Sequence, residues 1–409
     1  MKKRKLKIKY KNIVLVFIVF IIIISLASIS FSKPKKEKVI EDNFVGMNEF
    51  DVKKLCEEQK LECDFFYQYH NEILENIVIS KSKKDKEYLM VVSKGKLTSE
   101  ILSEKKVNEL GKVPIMMYHG IINQEETKYT GGNVDKDGYN RTSKAFREDL
   151  EFYYQNGYRM IRLIDYVNGE IDVDLGLSPV ILTFDDGNEN NFKVLGRDDN
   201  GDLIIDPDCA VGILEEFKKK YPDYNVTATF FLMNGLFNQK EYNEEIMKWL
   251  VEHNYDIGNH TTNHANFTEI STTKTKEVVG KMYQKLEGIL GDKYVPIIAL
   301  PYGSPYKKTH SNYPYILKGT YEDYEYETLA ALRVGWDSEV SPFDKSFDKT
   351  FLKRCRAYDN NGVEFDIKMV FKNLESNRYI SDGNKDTITI KEKDLKKLNN
   401  KIEKEIIKY

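Results

Sequence analysis

The sequence predicts an α/β fold. Its main part is a distorted (β/α) barrel, preceded by a small α+β unit and an N-terminal transmembrane helix. Three observations carry this. From residue 113 onward, short apolar strand-like runs alternate with helical runs, the pattern of a parallel sheet. Polar motifs stand where those strands run out, and in a β/α barrel all such ends open onto one face. Ahead of them the chain is first strongly basic and then continuously apolar. A chain of 409 residues is also too long for one small domain. The expected division is 1–32 for a cytoplasmic basic tail and membrane anchor, 38–96 for the small unit, and 113–409 for the barrel.

Lys2, Lys3, Arg4, Lys5, Lys7, Lys9 and Lys11 precede an apolar run from Ile13 to about Phe31. That length suits a membrane helix, and the positive flank holds the first end in the cytoplasm. Everything after residue 32 is therefore expected outside the cell membrane. A cleaved signal peptide is the alternative, with Ser28-Ile29-Ser30 as a small-x-small site, although the apolar run is long for one. A lysine-rich spacer follows from Ser32 to Glu41. In residues 38–96, Val52, Leu55 and Cys56 fall at helical spacing, and strand-like segments run from Glu62 to Tyr69, Ile77 to Ser82 and Tyr88 to Ser93. The Phe44-Val45-Gly46-Met47 opening, the Asp51-Val52-Lys53-Lys54-Leu55 helix and the Val91-Val92-Ser93-Lys94-Gly95 ending make this segment resemble a PASTA domain. The resemblance implies a cell-wall protein, with the unit serving as a spacer or as a peptidoglycan-binding module.

In the main unit, Val113–Tyr118 reads as an apolar strand ending at His119, and Ser143–Asn156 as a helix through Phe146, Leu150 and Tyr153. Val180–Phe184 is a strand ending at Asp185-Asp186-Gly187. Helices are expected over Cys209–Tyr221, Asn243–His253 and Thr272–Leu290, and strands over Val226–Leu232, Tyr255–Gly258, Pro296–Leu300 and Leu329–Val334. Asp198-Asp199-Asn200-Gly201-Asp202 carries acids at calcium-loop offsets, but Leu203 and Cys209 stand where such a loop needs Gly and Glu, so a hairpin turn suits it better. The tail with Leu395, Leu398, Ile402 and Ile406 reads as a final amphipathic helix. Cys56 and Cys63 are close enough to pair in an exported protein. Acids and bases nearly balance, and the net charge of −3 leaves no basic stripe for nucleic acid.

The chemistry concentrates in Thr183-Phe184-Asp185-Asp186-Gly187 and Gly258-Asn259-His260-Thr261-Thr262-Asn263-His264. His260 and His264 stand four residues apart, which on a helical turn aims both imidazoles at one ion. Adjacent acids after a strand point in different directions, so one can bind metal while the other faces water. The competing reading of Asp-Asp-Gly is a capped turn. Three ligands and a spare carboxylate are the minimum for metal-assisted hydrolysis, with an ion to polarise a carbonyl and a base to take a proton.

These motifs, with Pro301-Tyr302-Gly303, resemble the NodB-homology polysaccharide deacetylases, carbohydrate esterase family four, over roughly residues 113–350. The resemblance implies Asp185 as catalytic base and Asp186, His260 and His264 as ligands of one divalent metal, usually zinc. It also implies that the Tyr302 backbone N–H helps hold the oxyanion. The partner it implies is an N-acetylated glycan, peptidoglycan or poly-N-acetylglucosamine. Two departures stand out. No histidine lies beyond His310, whereas the common pattern places the general acid late in the domain. The Val113–His119 opening is similar instead to the circularly permuted branch, which implies His119 as the acid. Ala299 replaces the arginine that orients the base, so Arg333 or Asp337 is expected to supply that support, and Trp336 to line the acetyl pocket. A catalytically dead glycan-binding protein is a competing class, and so is a metal-free glycosidase with two separated carboxylates.

Overall fold

A computed structural model describes residues 43–409 apart from 71, 85–86, 124–133, 336 and 364. The expected anchor, the spacer after it and Trp336 lie outside the described residues. Among those described, no helix is long and apolar enough to cross a membrane. The chain divides into two compact units, Met1–Ile101 and Leu102–Tyr409.

In the first unit, helix α1 (Glu49–Gln59) starts at Asn48, whose side chain accepts from the Phe50 N–H, the usual service of an Asn cap. Strands β1 (Glu62–Gln68), β2 (Val78–Lys84) and β3 (Glu87–Ser93) make one sheet with β3 central, parallel to β1 and antiparallel to β2. Phe44, Val52, Cys56, Val78, Tyr88, Met90 and Val92 form its core. Cys56 and Cys63 are joined as a disulfide that ties α1 to the start of β1.

The second unit is built on a parallel sheet. The strands of that sheet and the longer helices among them are, in chain order, β4 (Ile115–Tyr118), α2 (Ser143–Gln155), β5 (Tyr158–Met160), β6 (Ser178–Phe184), α3 (Ala210–Lys220), β7 (Thr229–Leu232), α4 (Asn243–Glu252), β8 (Asp256–Asn259), α5 (Thr272–Leu290), β9 (Ile297–Ala299), β10 (Ala330–Leu332) and β11 (Cys355–Arg356). The strand order is β10-β9-β8-β7-β6-β4-β11, with β5 also paired to β6, and every pairing is parallel. The strands read as continuous apolar runs because both faces are covered. Met116, Leu182, Phe184 and Phe230 feed one core; Ile115, Ile181, Phe231 and Ile297 feed the other. That alternation is the period of two of the strand itself.

The sheet curls, but among the described residues no ladder joins its edges. Leu332 at the end of β10 meets Leu352 in a single parallel bridge, three residues before β11 begins. The closed barrel expected from the sequence is therefore a curled sheet with one point of closure. The Asp198 loop is a hairpin between Val194–Arg197 and Leu203–Ile205, and the Asp198 carboxylate accepts from the N–H groups of Asn200 and Asp202.

The final amphipathic helix is not found. Glu392–Lys397 forms a short 3₁₀ turn, and β13 (Glu405–Lys408) pairs in parallel with β12 (Thr387–Ile390). Asn399 breaks the helical run, its side chain accepting from the Lys401 N–H. Leu395, Leu398, Ile402 and Ile406 still pack against the second core, so burial is achieved without the helix.

Phe184 is fully buried beneath the Asp pair and stacks on Phe230 with ring centroids 5.0 Å apart. Phe184→Ala should cost about 3–5 kcal/mol in urea unfolding, the range for emptying a buried aromatic site.

Candidate active site

The chain reverses sharply at the end of β6. Asp186 has φ 77° and Gly187 φ 67°, both left-handed, which an aspartate adopts only at some cost. A Cβ on Gly187 would lie 2.3 Å from the Leu236 carbonyl, so the turn admits only glycine there. The reversal separates the two carboxylates: Asp185 turns into the protein, where it is 1% exposed, and Asp186 turns to the open edge.

Asp186 faces two imidazoles. Its Oδ1 lies 3.3 Å from His260 Nε2 and 3.7 Å from His264 Nε2. One ligand atom from each residue falls within 4.8 Å of the others, close enough to surround one cation. The His260 ring is oriented by the Ala299 carbonyl, 2.9 Å from Nδ1. A carbonyl can only accept, so Nδ1 carries the proton and Nε2 presents its lone pair to Asp186. Asp186 Oδ1 and His260 Nε2 are both buried, and neither makes a hydrogen bond. Facing buried polar atoms left unsatisfied are costly without a third party, so the donor set fits a divalent cation with nitrogen and oxygen ligands. Burial lowers the proton affinity of His260, but the Asp185 and Asp186 carboxylates outweigh it and raise the imidazole above its ordinary value. The same negative field would favour a cation at that position. His264 is half-buried and is lowered, first by burial and then by His260.

Asp185 is held by Arg354. Two parallel bonds of 2.7 Å join the guanidinium to Oδ1 and Oδ2, the strongest geometry available to such a pair. Arg354 has no exposure, and its remaining donors reach the Arg333 carbonyl (2.9 Å) and the Thr183 hydroxyl (3.2 Å). Burial alone would raise the Asp185 carboxyl, but Arg354, with His260 and His119, holds it well below the usual carboxylate range.

Neither support expected from the sequence reaches Asp185. The Arg333 guanidinium lies over the Phe351 ring, 4.4 Å from its centroid, and contributes only its carbonyl. Asp337 pairs with Lys112 at 2.9 Å. The arginine absent at Ala299 is replaced by one that directly precedes β11, later in the chain. Its one sequence signal was an arginine between the apolar residues Leu352 and Cys355.

His119 follows β4 and comes within 3.9 Å of Asp185. Burial lowers its proton affinity more than Asp185 and Asp186 raise it, and its Nδ1 is buried without a hydrogen-bond partner. Its backbone is fixed, with the carbonyl accepting from the Asn191 amide at 2.6 Å. Tyr302 stands after β9 with φ 56°, its ring 4.4 Å from that of His264 and 56% exposed. Thus Asp185, Asp186, His260, His264, His119 and Tyr302 converge on one face. The other histidines serve locally: His70 and His310 accept from backbone N–H groups in turns, and His253 stacks on Trp249.

Residues 173–315, which include both motifs and Tyr302, match the family model described as polysaccharide deacetylase. Over that segment the chain is similar to the polysaccharide deacetylases. Solved structures similar to it include the Streptococcus pyogenes deacetylase PplD in complex with acetate. That protein is 18% identical, with 63% of this chain and 97% of that one covered and a TM-score of 0.44. A de-N-acetylase from Aggregatibacter actinomycetemcomitans is 13% identical, with 64% and 99% covered and a TM-score of 0.41. No curated protein matches the chain. His119 and Arg354 both lie outside the matched residues.

Two outcomes are expected. Arg354→Met leaves a buried carboxylate unpaired and should cost about 3–5 kcal/mol in urea unfolding, with part recovered when Asp185→Asn is added. Zinc at about a hundred times its dissociation constant should stabilise the protein by about 2.7 kcal/mol in thermal unfolding. Asp186→Ala or His264→Ala should abolish that gain. It should also shrink as pH falls, because protons then compete for the imidazole lone pairs.

Proposed function

We propose that the protein is a metal-dependent deacetylase that hydrolyses N-acetyl groups of a cell-envelope amino-sugar polysaccharide. The observation that carries this reading is the meeting of an Asp186, His260 and His264 ligand set with a second carboxylate, Asp185, that Arg354 holds ionised. The products are acetate and a free amine on the glycan.

A divalent cation, zinc for this donor set, would be held by Asp186, His260 and His264 and would supply Lewis acidity toward the acetyl carbonyl and the attacking water. Asp185 takes the proton of that water. A carboxylate so stabilised is a weak base in isolation, and Arg354 serves mainly to fix its position and charge. The Tyr302 backbone N–H donates to the oxygen that becomes negative as the carbonyl carbon turns tetrahedral. His119 delivers a proton to the leaving nitrogen as the C–N bond breaks. The loss of arginine at Ala299, which favoured a dead binding protein, is offset by Arg354.

Peptidoglycan is the substrate we favour. The support is the PASTA-like sequence of the first unit, which leaves Phe50, Phe66 and Tyr67 exposed. Residues 13–31 would anchor the chain, with the deacetylase domain outside the cell.

Purified protein should release acetate from peptidoglycan, stop after chelation and recover when zinc returns. Poly-N-acetylglucosamine is the comparison polymer, and silence on both would end the enzyme reading. Asp185→Asn should bind metal yet lose turnover, and His119→Ala should lower kcat by about a hundredfold or more.

A further inference from the structure

Two large exposed side chains of the second unit touch site histidines. Tyr302 lies against His264, and Tyr139 lies against His119 with ring centroids 5.1 Å apart and planes at 70°. Tyr139 is 47% exposed. Single apolar residues scattered on a surface need no explanation. A pair flanking one polar site is a different arrangement.

Tyr139 is also firmly held. The Arg356 guanidinium covers its ring at 5.2 Å, and Arg356 lies two residues after the arginine that grips Asp185. Gly138 makes this approach possible: its φ is 73°, and a Cβ there would stand 2.9 Å from Arg356 Cδ. The backbone around it is pinned by side chains. Asp137 accepts from the Tyr139 N–H at 2.8 Å, and Asp135 accepts from the Thr142 N–H at 2.7 Å. Arg141, beneath, is buried against Asp149 through bonds of 2.6 and 2.8 Å. The Tyr139 carbonyl accepts from Gly120, the residue after His119. The ring is thus a rigid, half-open surface fixed to the strand end that carries the proposed acid.

We propose that Tyr139 is a substrate-positioning residue, a platform for the pyranose ring adjoining the sugar that loses its acetyl group. This rests on the deacetylase reading above. The axial C–H face of a pyranose is weakly positive and apolar, and it matches the negative face of an aromatic ring. A rigid aromatic also loses little entropy on binding. With Tyr302 on the metal side and Tyr139 on the acid side, the glycan would cross the site between two tyrosines. The leaving nitrogen would then sit toward His119.

The test is chain-length dependence. Acetate release by the full chain with zinc is measured on N-acetylglucosamine and on its longer β-linked oligomers, for wild type, Tyr139→Ala and Tyr139→Phe. Wild type should favour the oligomers. Tyr139→Ala should lose about tenfold of that preference, the scale of one aromatic contact, through a higher KM. Tyr139→Phe should retain it. Equal preference in wild type and Tyr139→Ala, or equal loss on monomer and oligomer, overturns the platform while leaving the deacetylase reading intact. A wild type silent on every N-acetylated sugar overturns both.

Discussion

The buried pair of Arg354 and Asp185 is the interaction on which the rest of the site depends. Neither ion can be hydrated, so each must find its full complement of partners inside the protein. Arg354 meets this by reaching three places: the Asp185 carboxylate and the Thr183 hydroxyl at the end of β6, and the Arg333 carbonyl beyond β10. It thereby links the interior of the sheet to both of its edges, since β10 ends the strand order on one side and β11 on the other. The sheet closes through one backbone bridge, and the arginine adds a side-chain tie at the same place.

That tie also frees the neighbouring carboxylate for other work. With Asp185 satisfied, the left-handed turn at Asp186 and Gly187 carries the second carboxylate out to the two histidines. Thr261 and His264 also have positive φ, so backbone strain clusters around the same few residues. Ala299 takes part through its carbonyl, which fixes the tautomer of His260. A position that looked vacant by side chain is occupied by backbone chemistry.

Much of the site was legible because its motifs are short and end strands. Short apolar runs located β4, β6, β8 and β9, and the polar residues just after each run were expected to share one face. Helix Thr272–Leu290 was equally readable, and the structure adds the Ser271 cap. The tail was misread because Leu395, Leu398, Ile402 and Ile406 fit a helical spacing, while pairing with Thr387–Ile390 satisfied both backbone and burial better. Arg354 was missed because its partner stands 169 residues away.

Local order in the chain was enough to name the candidate groups, since a carboxylate or imidazole at a strand end keeps its chemistry wherever the strand goes. It also put forward Asp186, His260 and His264 as a candidate ligand set, and the resemblance of the Val113–His119 opening put forward His119 as the candidate acid. Folding decided which charge compensates Asp185, which carbonyl orients His260, and that the sheet closes at a single bridge. It also decided that Tyr139 stands beside His119. These are pairings between distant segments, and distance along a chain carries no record of which buried donor will meet which acceptor.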